Sequence, residues 1–231
     1  MTDGRTPWLA AQQKETPEGW LVRLPLPLHW HVHSLSSATA FRLAIPSIDL
    51  PRRDQHGRAM LHQEKNWASS FPSAHVWVQA RDPHSERGIC LAGGRILGLD
   101  AFIVGYRSQD LNLDFLPPYA VSMAGLSPFM SVRIDYDERT FSISVSSFWH
   151  RIEIKARAPK GNGWFGLGSP FPEGHRRNFC TESFLAVVDV VVYERKKWWS
   201  WAWTELKRER FENASLEFVG EYFPDRGEKR E

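Results

Sequence analysis

Residues 73–82 read SAHVWVQARD. The stretch alternates with period two, and its bulky and β-branched residues suit a pleated surface. That reading makes it a β-strand, with His75, Trp77 and Gln79 on one face. The same pattern recurs outward in both directions. HWHVHSL alternates from His29, and AFRLAIPSI follows as a strand candidate with Pro46 near its end. RGICLAGGRI and DAFIVGYRSQDLNLDFL come next. In FMSVRIDYDERTFSISVSS the segments SVRIDY and TFSISVS flank a DER turn, which predicts a hairpin. FWHRIEIKARAP alternates again, FLAVVDVVVYER is apolar except for Asp189, and SLEFVGEYF closes the series. ELKRERFE has helical character in isolation, but Trp199, Trp201 and Trp203 share one side of a strand, so a long strand is expected there.

About ten short strands separated by turn signals predict an all-β fold, a closed or nearly closed antiparallel barrel. At 231 residues the chain is long enough for a sizeable core. The expected organisation is an N-terminal extension over residues 1–18, one β-barrel domain over 19–224, and a charged tail over 225–231. The Gly- and Pro-rich break at 158–178 reads as a long loop, either a functional lid or a solvated crossover.

Lys and Arg number 29 against 27 Asp and Glu, a net charge of +2, which gives no reason to expect a nucleic acid or an acidic membrane as partner. No stretch approaches the roughly 18 apolar residues of a membrane span. The first twenty residues lack a signal-peptide core, so a soluble cytoplasmic protein is expected. Cys90 and Cys180 are too few for a disulfide framework and read as buried thiols. The chain has no phosphate-cradling glycine loop, nucleophile elbow, HExxH or CxxC, so no cofactor is expected. His29, His31 and His33 share a strand face, but no acidic or cysteine partner motif accompanies them, and a polar lining is the better reading than a metal site.

Residues 64–79, EKNWASSFPSAHVWVQ, carry a resemblance. Glu64, Lys65, Asn66, Trp67, Phe71, Pro72, Trp77, Val78 and Gln79 resemble the EKNW…FP…WVQ pattern of the tocopherol cyclase family. GWLVRLP followed by His29–Trp30, LAGGR at 91–95, and FCTESF…VVVYER fall in the family's order. The resemblance covers roughly residues 19–220 and corresponds to the C-terminal half of the plant members. It implies a lipocalin-like β-barrel. It also implies chemistry on a prenylated, largely apolar substrate, in which an acid protonates an alkene and a hydroxyl captures the cation. The chain departs from the pattern at Ala68, at His75 in place of a tryptophan, at Glu182 in place of an aspartate, and at VGEYFPD near its end. If the family needs two barrel-like halves, a homodimer would supply the second; the alternative is a single barrel.

The first acid candidate is Glu64, since burial in an apolar cavity holds a carboxyl in its protonated form. The alternative for Glu64 is an ion pair or a turn cap. Glu182 is the second acid candidate, and His75 is a candidate general base near neutral pH. Asn66 and Gln79 can orient a hydroxyl, or can satisfy backbone groups at a corner. Trp67 and Trp77 can wall a cavity and stabilise a cation through their π faces, and His29 and Trp30 complete the substrate lining. The leading expectation is a cofactor-independent cyclase or isomerase of a hydrophobic prenylated or polyketide-derived small molecule, working by acid-assisted ring closure inside a β-barrel cavity. A non-catalytic carrier of a hydrophobic ligand is the first rival. An interaction protein docking through the Trp199–Trp203 ridge is the second, and it would show a filled barrel and an exposed tryptophan patch.

Overall fold

The computed structural model describes residues 7–8, 16–26, 28–68 and 72–223. The chain divides into two compact units, Met1–Ser69 and Ser70–Glu231. Nearly all regular structure in both is antiparallel β-sheet, as the alternation predicts.

The first unit is a two-stranded ribbon. β1 (Leu28–Arg42) pairs antiparallel with β2 (His56–Ala68), from Leu28 opposite Ala68 to Arg42 opposite His56. Two irregularities around Ser34 shift the register. The strand expected over AFRLAIPSI stops at Arg42, and the chain turns with an Ile45–Ile48 bridge beside Pro46. The four-residue helix α1 (Arg52–Gln55) leads into β2. No helix among the described residues is long and apolar enough to cross a membrane. EKNWA, where a corner was one reading of Asn66, is the end of β2. Strand alternation therefore divides the motif, with Glu64 and Asn66 on one face and Lys65 and Trp67 on the other. Phe71 lies outside the described residues.

The second unit is one sheet. Its strands are β3 (Ala74–Arg81), β4 (Gly88–Ile96), β5 (Leu99–Arg107), β6 (Asn112–Phe115), β7 (Val121–Met123) and β8 (Met130–Asp135). The remainder are β9 (Thr140–Ser146), β10 (His150–Arg157), β11 (Phe165–Phe171), β12 (Gly174–Glu194) and β13 (Thr204–Gly220). The hydrogen-bonded order is β6-β5-β4-β3-β13-β12-β10-β9-β8, with β11 on β12 and β7 on β5. No ladder joins β6 to β8 among the described residues, so the sheet is not closed into a barrel. It is nevertheless curled, because side chains from distant strands meet on its inner face. The Phe102 ring on β5 lies 5.9 Å from Phe141 on β9, and Trp164 stacks on Phe218 of β13 at 5.9 Å. Val76, Val78, Leu91, Val104, Ile152 and Leu216 fill the same core and are fully buried. Burying each such side chain contributes about 1.5–3 kcal/mol.

Two local features keep this core continuous. Along β13 the inward residues change parity, since Phe211 and Ala214 are both buried. The switch falls at Asn213, whose φ of 53° is left-handed and is tolerated better by asparagine than by most residues. On β4, Gly94 sits opposite His75, and a Cβ there would lie 2.2 Å from the Ala74 carbonyl oxygen. Only glycine allows β3 and β4 to approach so closely.

Two sequence expectations need correction here. The break at 158–178 is not one long loop: β11 pairs with the start of β12, with the turn at Gly174 (φ 123°). The tryptophans at 199, 201 and 203 do not lie on a strand. β13 begins at Thr204, and these residues form the connection that enters it. Conversely, ELKRERFE is strand, as read. The DER hairpin is present as β8–β9, capped by the Glu138 amide donating to Asp135 Oδ1 at 2.9 Å.

Candidate active site

The proposed site residues fall into two groups, one in each unit. In the first unit, His29 and Trp67 are register partners on β1 and β2 and stack at 5.5 Å. Trp67 is half exposed, and the Lys65 ammonium lies 5.7 Å from its ring. On the other face, Trp30 is opposite Asn66 and is buried, with Trp8 edge-on at 5.5 Å. Sequence reasoning missed the group that organises this end, Glu18. Its buried carboxylate accepts the Trp30 backbone N–H and lies 3.1 Å from His29 Nδ1. A carboxylate held by a backbone amide and an imidazole fixes a strand entry, so Glu18 holds His29 and Trp30 in place at the start of β1. The His31 and His33 rings adjoin at 4.6 Å, while His29 is engaged by Glu18.

Glu64 is not a lone acid in an apolar setting. Its Oε2 lies 2.9 Å from His62 Nε2, and His62 Nδ1 lies 3.2 Å from the Leu35 carbonyl oxygen. His62 stands two residues before Glu64, so strand alternation puts both on one face. That signal was available in LHQEKNW. The unit also has an open groove of about 540 Å³ in the β1–β2 connection, lined by residues such as Ile45, Ile48 and His56. None of the sequence-predicted site residues lines it.

In the second unit the common face expected for His75, Trp77 and Gln79 is present. All three are half-buried, while Ala74, Val76, Val78 and Ala80 alternate with them into the core. The row therefore lies on the face of the sheet away from its core, not inside a barrel cavity as expected, because Val76 and Val78 take the inner face. The register extends it across three more strands. Trp77 is opposite Glu217 of β13, Glu217 is opposite Glu182 of β12, and Glu182 is opposite Phe165 of β11. One step along, His75 is opposite Val219 and Val219 is opposite Cys180. Gln79 is opposite Ser215. Two candidates from distant sequence positions, His75 and Glu182, thus occupy one patch.

Within this patch His75 Nε2 lies 3.4 Å from Glu217 Oε1. Glu182 is 6% exposed, a buried carboxylate one strand further on. Cys180 is a free, buried thiol whose Sγ lies 3.5 Å from the Leu167 carbonyl oxygen. Burial pushes its pKa up to about 12, and the neighbouring Glu217 acts in the same direction. The thiol therefore stays protonated at neutral pH and is neither base nor nucleophile. Cys90 is likewise buried and in no disulfide. Glu217 was missed in the sequence. It is one polar residue in the alternating run SLEFVG, and nothing local shows that β13 lies beside β3. Asp189 resolves outward, with Arg157 at 2.9 Å and Arg210 at 3.3 Å from its oxygens, and takes no part in the patch.

The patch offers an imidazole–carboxylate pair, a second buried carboxylate, an indole and an amide. Such a set can donate a proton, accept one, and orient a hydroxyl. No family model matches the chain, and no curated protein matches it. Among solved structures, it is similar to kievitone hydratase from Nectria haematococca, at 10% identity and a TM-score of 0.45. The likeness covers 84% of this chain and 53% of that one, so the chain spans about half the length of that protein.

Proposed function

We propose that the face formed by β3, β13 and β12 catalyses acid-assisted ring closure or isomerisation of a hydrophobic small molecule, without a cofactor. The observation that carries this reading is the alignment of Trp77, Glu217 and Glu182 across three strands, with His75 beside them. The resemblance of EKNW…FP…WVQ to tocopherol cyclases supports the substrate class, a prenylated or polyketide-derived aromatic compound. The same resemblance supports a lipocalin-like ancestry for the curled sheet.

In this mechanism Glu182 donates its proton to an alkene carbon of the substrate. The cation that forms is shielded by the π face of Trp77. Gln79 holds the substrate hydroxyl, whose oxygen closes the ring on the cation. His75, steadied by Glu217, takes the hydroxyl proton, so substrate and product are isomers. The proton returns to Glu182 through the His75–Glu217 pair before the next turnover. Holding alkene and hydroxyl together is itself a large part of the acceleration.

The test is turnover of a panel of prenylated phenols, followed by chromatography with mass detection for products of unchanged mass. Glu182→Gln is expected to lower the rate by about a hundredfold or more, the range of a lost general acid, while ligand binding by fluorescence persists. Binding without turnover by the unaltered chain would establish the carrier reading instead. Full activity in Glu182→Gln would remove Glu182 from the reaction.

A further inference from the structure

One end of the second unit carries an aromatic surface that the proposed reaction does not use. It is built from two connections, 147–149 between β9 and β10 and 195–203 between β12 and β13. The register places them side by side, since His150 is opposite Glu194 and Arg151 is opposite Ser146. Arg195 ties them together. Its backbone N–H donates to the Trp149 carbonyl at 3.0 Å, its Nε donates to the Phe148 carbonyl at 2.5 Å, and its Nη1 donates to the Ser200 carbonyl at 3.3 Å. The guanidinium also lies 4.6 Å from the Trp203 ring. Phe148 is braced from below by Tyr119 and Phe129, at 6.0 and 5.9 Å.

On this fixed base five large aromatic side chains stand in solvent. Phe148 is 44% exposed, Trp149 50%, Trp198 56%, Trp199 61% and Trp201 96%. Exposed apolar surface concentrated in this way marks an interaction site. The charge around it selects the partner. Arg195, Lys196 and Lys197 enter the connection, and no acid occurs between Glu194 and Glu205. Lys196 and Lys197 are exposed and form no ion pair among the described residues. Glu205 is engaged by Arg208 at 2.6 Å, and Asp110 by Lys207 at 2.7 Å. The surface therefore presents indoles together with an excess of positive charge, Arg195, Lys196 and Lys197 against Glu194.

We infer that this end of the second unit docks on an anionic lipid bilayer, with Trp199 and Trp201 in the headgroup region and Lys196 and Lys197 against acidic headgroups. Indole rings favour the membrane–water interface because one edge is apolar and the N–H remains hydrogen-bonded. Basic residues beside them add attraction to acidic headgroups that salt screens. The contact is peripheral and needs no spanning segment. It is independent of the reaction proposed above.

The experiment is sedimentation of the full chain with sucrose-loaded vesicles, of phosphatidylcholine alone or with a quarter phosphatidylserine. Binding is expected with phosphatidylserine, accompanied by a blue shift of tryptophan emission and by quenching from brominated lipid. Trp199→Ser/Trp201→Ser is expected to weaken binding by about tenfold or more through lost apolar insertion. Lys196→Glu/Lys197→Glu keeps every indole and is expected to abolish the preference for phosphatidylserine and its salt dependence. Both pairs are exposed, so an unchanged thermal unfolding curve checks the fold. Failure to bind acidic vesicles, binding indifferent to both variant pairs, or burial of the indoles in a dimer of this chain would each overturn the inference.

Discussion

At the scale of single residues, the candidate site is a case of partners chosen by register. His75 finds Glu217, 142 positions later in the chain, because β3 lies against β13. The alternation of SAHVWVQ was enough to place His75, Trp77 and Gln79 on one face. It could not say which face is the core, because both faces carry sizeable side chains. Glu64 shows the reverse case, where the contiguous motif EKNW is divided between two faces of a ribbon. Its neighbour His62 was legible from spacing alone, whereas Glu18 was not, because its contact with Trp30 depends on how the chain enters β1. Cys180 supplies a prediction at this scale. With its pKa at about 12, the thiol remains neutral across the ordinary alkylation range. The native chain is expected to resist iodoacetamide at pH 8.5 and to react at both cysteines in denaturant, as counted by mass. Rapid labelling of native Cys180 would contradict the burial and charge assigned to it.

At the scale of elements, the sequence yields most strands wherever one face is apolar and the other polar. β3, β8, β9 and β10 are of this kind. The strand at 56–68 went unread because few of its side chains are buried, so it lacks an apolar stripe. The hairpin at 165–182 went unread because glycines and prolines mask its alternation. The tryptophans at 199–203 have strand spacing without strand hydrogen bonds. Arg195 bonds three carbonyl groups across two connections and holds that segment outside the sheet. Gly94 tests how β3 is held. Gly94→Ala would force its Cβ against the Ala74 backbone, and the strands must separate to relieve it. A loss of about 1–3 kcal/mol is expected from such overpacking, measured by the urea midpoint, with turnover falling too because His75 is displaced. Phe141→Ala removes a fully buried ring from the meeting point of β5 and β9 and is expected to cost about 3–5 kcal/mol in the same measurement.

At the scale of the molecule, the net charge of +2 concealed a local excess, since Arg195, Lys196 and Lys197 stand beside exposed indoles while acids elsewhere balance the total. Global composition is a sum, and docking depends on where the charges lie. The alkaline stability of the chain is also a whole-molecule property. Burial, reinforced by Glu209 at Tyr106 and by Asp100 at Tyr222, pushes both phenols up to about 12, as it does the Cys180 thiol. All three lose their protons more easily when unfolded, near 8.5–10. Their contribution is therefore complete below about pH 8.5 and is lost progressively as pH rises toward 12. Urea midpoints are expected to fall between pH 8.5 and 10.5, and a flat profile would show that these groups are not sequestered. The open sheet has its own consequence. A margin of unused amides and carbonyls is a template on which another strand can grow. The main path of the sheet ends at β6, only four residues long, and at β8, which carries Arg133 with its side chain 82% exposed. Short length and a protruding charge guard these two margins against such templating, through features that contribute almost nothing to folding.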